Sequence, residues 1–139
     1  MLKEDHMKKN IDVSLWLGCV ESEDDLYDYV SVDYSDDDDD ETSKFLADFD
    51  IGIDDYDEDM FESDFTDNDT KSLTEMLEGC SYDEDLIPLF VEKYGEKLDS
   101  QYNAMILIYE YKYHSRITTS NNENRKFKYV GTVNLDVDY

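Results

Sequence analysis

Between Glu21 and Asp69 the chain places 23 Asp or Glu side chains against one cation, Lys44, so this stretch holds 22 of the 26 net negative charges. It includes the uninterrupted run Asp36, Asp37, Asp38, Asp39, Asp40, continued by Glu41. So much like charge repels itself, and any fold that contains it has to keep the carboxylates in water. The resulting field attracts basic proteins and repels nucleic acid and anionic lipid. A strongly basic partner is therefore expected, and neither nucleic acid nor a membrane.

Extreme acidity with low hydrophobicity would mean disorder. Here 40% of the 139 residues are hydrophobic and 14% aromatic, with 12 Tyr, 6 Phe and Trp16, which is far too much apolar surface for a solvating tail. A chain of this length fits one domain that buries roughly two-thirds of its unfolded surface. The reading is a flexible leader over 1–10 and one folded domain over 11–139 with acidic loops. Two cysteines, Cys19 and Cys80, make no disulfide framework and are expected to be free thiols. The polar start, MLKEDHMKKN, lacks the apolar stretch of a signal peptide, and no segment has about 18 uninterrupted apolar residues. A cytoplasmic protein is expected.

Hydrophobic periodicity organises the domain. Ile11, Val13, Leu15 and Leu17 alternate with Asp12, Ser14 and Trp16, the period of a strand with one aliphatic face. Trp16, on the opposite face, is expected to pack beneath a helix, the alternative being an exposed anchor. Ser22 followed by Glu23, Asp24 and Asp25 is a helix start, with a hydroxyl cap and acids in the first turn. Leu26, Tyr29 and Val30 form its apolar stripe. Val32 to Tyr34 reads as a brief strand, the Asp run as a loop, and Ser43 as the cap of a second short helix that buries Phe45, Leu46 and Phe49. Ile51 to Phe65 is expected to be extended and tethered by Ile53, Tyr56, Met60, Phe61 and Phe65.

Thr70 to Glu78 reads as a helix with Leu73, Met76 and Leu77 inward and Gly79 as its C-cap. A further helix starts at Ser81 with the stripe Leu86, Leu89, Phe90, Tyr94 and Leu98, in which Pro88 bends the first turn or shifts the start. Ala104 to His114 is the clearest strand, with Met105, Leu107, Tyr109, Tyr111 and Tyr113 on one face. After a polar loop, a last strand carries Phe127, Tyr129, Gly131, Val133 and Leu135 on one face, and these two strands are expected to pair as a C-terminal hairpin. The fold class is α+β: a small mixed or antiparallel sheet, from the N-terminal strand plus that hairpin, with several short helices on one face.

Catalysis finds little support. The two histidines, His6 and His114, assemble no triad or zinc site, and there is no P-loop, GxGxxG or nucleophile elbow. Asp55, Asp57 and Asp59 stand at positions 1, 3 and 5 of an EF-hand-like loop. Met60 replaces its glycine and Thr66 its terminal glutamate, so no metal or cofactor is assigned. A run of carboxylates is most often only a solvated face. Against that, the acids are concentrated: Gln101 to Tyr139 holds five basic and four acidic residues. Within a Debye length of about 8 Å such a cluster raises association rates with a basic partner, and interleaved aromatics can anchor the complex.

VSLWLGCVESEDDLYDYV, SKFLADFDIGIDDYDEDMFE, SYDEDLIPLFVEKYG, YNAMILIYEY and FKYVGTV, in this order, resemble the immunity protein 22 family of bacterial polymorphic toxin systems. The likeness spans Ile11 to Val133. It implies a cytosolic protein that protects its producer by binding and silencing a toxin domain, and with no nucleophile or base in a recognisable setting no enzyme is expected. A nuclease toxin must hold polyphosphate and so carries Lys and Arg around its active site, which an acidic inhibitor matches. The toxin-binding residues are expected to be Asp36, Asp37, Asp38, Asp39, Asp40, Glu41, Asp54, Asp55, Tyr56, Asp57 and Asp59, in a monomer or small homo-oligomer. The alternative is a DNA mimic of the anti-restriction kind, which would bind unrelated DNA-binding proteins comparably.

Overall fold

Strand β1 (Lys8–Cys19) decides the architecture because it is apolar on both faces. Ile11, Val13, Leu15 and Leu17 are buried on one face, and Ser14 and Trp16 are fully buried on the other. Such a strand needs cover above and below and a neighbour on each side. The computed structural model, which describes residues 8–32 and 42–138, places it at the centre of a five-stranded sheet.

The remaining strands are β2 (Phe61–Ser72), β3 (Lys97–Tyr109), β4 (Thr119–Asn122) and β5 (Arg125–Asp138), in the order β2-β3-β1-β5-β4. Every neighbouring pair is antiparallel. The expected pairing of the two long C-terminal strands does not form, because β1 lies between β3 and β5. The C-terminal hairpin is instead β4–β5, closed by Glu123 and Asn124, both at positive φ (52° and 71°), as a two-residue turn matched to strand twist requires. The sheet is thus larger than expected and antiparallel throughout.

Among the described residues four helices cover it: α1 (Glu23–Val30), α2 (Lys44–Asp48), α3 (Leu73–Leu77) and α4 (Asp83–Tyr94). They lie on both faces, which corrects the one-face expectation. Helices α3 and α4 bury Leu73, Met76, Leu77, Leu86 and Phe90 against Leu15, Leu17, Met105, Leu107 and Leu135. Helices α1 and α2 bury Leu26, Tyr29, Phe45 and Leu46 against Trp16, Ile106, Ile108 and Phe127. Two covered faces follow from strands such as β3, whose Ala104 to Ile108 are all completely buried. Ser22, Ser43 and Ser72 cap α1, α2 and α3, each Oγ accepting from the N–H three residues on.

Two breaks in alternation reassign side chains between the faces. Glu110 has φ 56° and ends β3, so Tyr109 stays on the α3/α4 face while Tyr111 and Tyr113 cross to the α1/α2 face. Ser14 secures the crossing: its Oγ donates to Tyr111 O at 2.8 Å and accepts from Tyr113 N at 3.1 Å. In β5 the register with β1 shifts between Leu15 and Trp16, which face Gly131 and Tyr129, and leaves Val130 as the extra residue of a bulge. Phe127 and Tyr129 therefore join the α1/α2 face, whereas Val133, Leu135 and Val137 stay on the other. Gly131 next to the bulge admits the Tyr94 ring: a Cβ there would lie 1.7 Å from Tyr94 Oη.

Strand β2 replaces the end of the expected tethered segment and the start of the expected helix at Thr70. Its side chains are at most half-buried, as befits a sheet edge, so its alternation is weak in the sequence. Pro88 lies inside α4, which starts at Asp83 rather than Ser81.

Candidate functional site

Of the expected site residues, Asp36 to Asp40 and Glu41 lie outside the described residues, as do Asp33 and Tyr34 of the expected brief strand. Asp54, Asp55, Tyr56, Asp57 and Asp59 come together on the link between α2 and β2. All four carboxylates are exposed. Asp55 Oδ2 accepts from Gly52 N at 2.8 Å, and Asp57 Oδ1 accepts from Asp59 N at 2.9 Å, starting the 3₁₀ turn Glu58–Met60. These are turn-forming bonds, the ordinary use of Asp in a loop. Tyr56 is half-buried, with its ring 6.0 Å from that of Phe61. It tethers the link to the aromatic side of the core. No group of three His, Cys, Asp or Glu among the described residues is placed to hold a metal ion.

Two cations are engaged away from this link. Arg125, 6% exposed, donates through Nε to Asp25 Oδ1 (2.8 Å), through one terminal nitrogen to Asp28 Oδ2 (2.8 Å) and through the other to Glu123 Oε2 (3.2 Å). Its guanidinium also lies over the Tyr29 ring. Lys44 joins the same network, 2.7 Å from Asp28 and 3.7 Å from Glu123. The hydrogen bond from Lys44 holds the Asp28 carboxyl below the usual carboxylate range, and that bond raises Lys44 in turn. The one cation of the acidic block is thus committed to clamping α1, α2 and the β4–β5 hairpin together.

Carboxylates outside this clamp are less balanced. Among the described residues Asp54, Asp55, Asp57, Asp59, Asp64, Asp67 and Asp69 have no cation within ion-pair distance; the pairs formed engage Asp25, Asp28, Asp99, Glu110 and Glu123. Among the described residues, the α2–β2 link and the β2 edge thus carry seven carboxylates outside any ion pair.

A concave feature adjoins that field. The 3₁₀ turn and the start of β2 face the start of α4 across a cleft of about 370 Å³. Met60, Ile11 and Val137 contribute its apolar surface, and Asp59, Glu62 and Glu110 its carboxylates. Glu62 is held in place: Oε1 accepts from Tyr109 Oη at 2.8 Å and from Ser81 N at 3.1 Å. Burial, then the bond to Glu62, pushes the Tyr109 hydroxyl well above the usual phenol range, so it remains a donor. Tyr82 lines the cleft, 51% exposed. Of these residues the sequence reading reached only Asp59. Glu62 and Tyr82 belong to no periodic pattern, Glu110 reads only as the charged end of a strand face, and the three meet only through the fold.

Neither thiol is set up as a nucleophile. Burial raises Cys19 and pushes Cys80 up to about 12. His114 is exposed beside Tyr111.

The site belongs to an acidic antiparallel α+β domain that exposes unpaired carboxylates on the α2–β2 link and the β2 edge. The chain belongs to the Immunity protein 22 family, whose family model matches residues 13–136. Membership carries a general role in toxin immunity. No curated protein and no solved structure gives a significant match. No helix among the described residues is long and apolar enough to cross a membrane.

Proposed function

We propose that this protein neutralises a basic toxin domain, a nuclease, by docking its acidic surface over the toxin's substrate cleft in the cytoplasm of the producing cell. The observation that carries this reading is the set of seven exposed or edge carboxylates without internal cations, from Asp54 to Asp69, in a chain of an immunity family. Free carboxylates add to the local potential, whereas those in the Arg125 clamp are largely neutralised. A nuclease surface that holds polyphosphate has the complementary sign. Charge brings the two together, and aromatic anchors set the lifetime of the complex. The Asp36 to Glu41 run is assigned a part in association rate rather than in specificity. No covalent chemistry is required: occlusion one-to-one suffices.

Co-expression with the toxin domain encoded beside this gene tests the reading. Rescue of growth, with an on-rate that falls steeply as salt rises, is expected. Failure to rescue rejects immunity toward that toxin. Comparable affinity for several unrelated DNA-binding proteins would replace the reading with DNA mimicry.

A further inference from the structure

Resting on the toxin-binding reading, we propose that the cleft between the 3₁₀ turn and α4 is a socket for one arginine side chain of the basic partner. Its parts match the parts of that side chain. Met60, Ile11 and Val137 offer apolar surface to the methylene stem. Asp59 and Glu62 line the cleft with carboxylates to meet the guanidinium, and the half-exposed Tyr82 lines it with an aromatic ring, a group on which a planar cation can stack. Glu62 is already oriented by Tyr109 and Ser81, so binding does not have to order it. The cleft's third carboxylate, Glu110, already takes an ammonium: Lys9 Nζ lies 2.7 Å from its Oε1. That pair leaves the positions of Asp59 and Glu62 for an incoming cation.

Tyr82 is hard to explain from folding alone. It precedes α4 with φ 63° and ψ 28°, a left-handed conformation favoured by Gly or Asn, and makes no side-chain capping bond. Its ring touches Tyr109, with centroids 6.1 Å apart, yet half of its surface faces solvent. A residue that breaks the local preference in conformation, capping and exposure together gains its return outside the folded monomer. An exposed aromatic beside fixed carboxylates suits arginine better than lysine, because the guanidinium stacks and forks where an ammonium is a point charge.

The test uses the whole chain and blocked arginine, N-acetyl-arginine methylamide, followed by amide NMR shifts, with the blocked neutral isostere citrulline as control. Saturable shifts confined to residues 59–62, 81–83 and 109–110 are expected with arginine and none with citrulline. Tyr82→Asn suits the left-handed backbone, so its thermal midpoint is expected to hold or rise while the arginine shifts fall at least fivefold; Glu62→Gln reduces them similarly. Against the toxin domain, Tyr82→Asn is expected to raise the dissociation rate at least tenfold. Shifts spread over the acidic surface, equal response to citrulline, or full binding by a folded Tyr82→Asn protein would overturn the socket. Because the arginine titration needs no toxin, loss of the socket with growth rescue intact leaves immunity standing. Arginine binding without rescue rejects immunity toward that toxin and keeps the socket.

Discussion

The two faces of the sheet bury different chemistry under different charge. Beneath α3 and α4 the core is mainly aliphatic: Val13, Leu15, Leu17, Leu73, Leu77, Leu86, Met105 and Leu107 are each completely buried. Beneath α1 and α2 it is built from rings. Trp16 meets Phe45, Phe49, Tyr113 and Tyr129 at centroid distances of 5.1–6.0 Å, and Tyr29 stacks on Phe127 at 4.7 Å. The ring-built face is the one covered by the acidic block, from α1 through the link to β2. Short helices of eight and five residues offer few core positions, so each must bury much area to hold a segment that repels itself. An aromatic ring buries about 150–250 Å² per position, which makes it the efficient choice there.

The largest break in this comparison is expected from Trp16→Ala, at about 3–5 kcal/mol by urea denaturation, since it empties the centre of the aromatic face. Leu77→Ala on the aliphatic face is expected to cost about 2–4 kcal/mol. Trp16→Phe sharpens the point: Trp16 Nε1 is buried without a hydrogen-bond partner among the described residues, so its removal offsets part of the lost packing. A loss below that of Leu77→Ala is expected. A loss equal to that of Trp16→Ala would show the indole N–H to be satisfied by a neighbouring ring.

Next comes Arg125→Ala, expected at about 2–3 kcal/mol, below the figure for a fully buried network because Asp28 and Glu123 are more than half exposed. The same denaturation measurement checks it. The double variant with Trp16→Phe is expected to be non-additive, since Arg125 lies over Tyr29 on the same face.

A smaller effect belongs to pH. Asp28 titrates below its ordinary 3.8 because Lys44 bonds to it, so its stabilising contribution is present above pH 3.8 and is lost as pH falls through the depressed value. Lys44 is raised above 10.5, so its contribution is present below that pH and lost as pH rises through the elevated value. Asp28→Asn is expected to remove the first dependence and to weaken the second, which Glu123 partly sustains, read from thermal midpoints between pH 2.5 and 5 and above pH 10. An unchanged pH profile would remove the clamp.

The smallest effect on stability is expected from replacing Asp64, Asp67 and Asp69 with Asn, within about 0.5 kcal/mol of the parent and on the stabilising side. The same variant is expected to slow association with a basic partner at low salt, measured by stopped flow, and to leave the dissociation rate nearly unchanged. A faster dissociation would place the β2 edge inside the interface.

Much of this arrangement was legible in the residues. The β1 alternation, the Ser22 and Ser43 caps, the buried stripes of α1 to α3 and the packing of Trp16 beneath a helix all follow from local rules, because cap chemistry and the periods 2 and 3.6 act over a few residues; of the stripe expected for α4 only Leu86 and Phe90 are buried, Tyr94 is exposed and Leu98 belongs to β3. Edge strand β2 did not show, since a half-buried strand has little reason to alternate. The face change at Glu110 and the bulge at Val130 were equally hidden, because strict alternation is read forward from each residue to the next and one irregular residue reverses everything after it. The acidic link was found from composition, whereas Glu62, Tyr82 and Glu110 were not, being separated by 20 and 28 positions along the chain.

The sequence by itself determined the charge, its confinement to one half of the chain, the helix starts and the family, because these depend on residue identity and short spacing. Only the tertiary structure decided that β1 lies between β3 and β5, that the helices divide between two faces, that Lys44 and Arg125 are committed to a clamp, and that two tyrosines and three carboxylates border one cleft. Those are outcomes of long-range packing: strands with two apolar faces need covering on both sides, and the arrangement that covers them brings distant residues together.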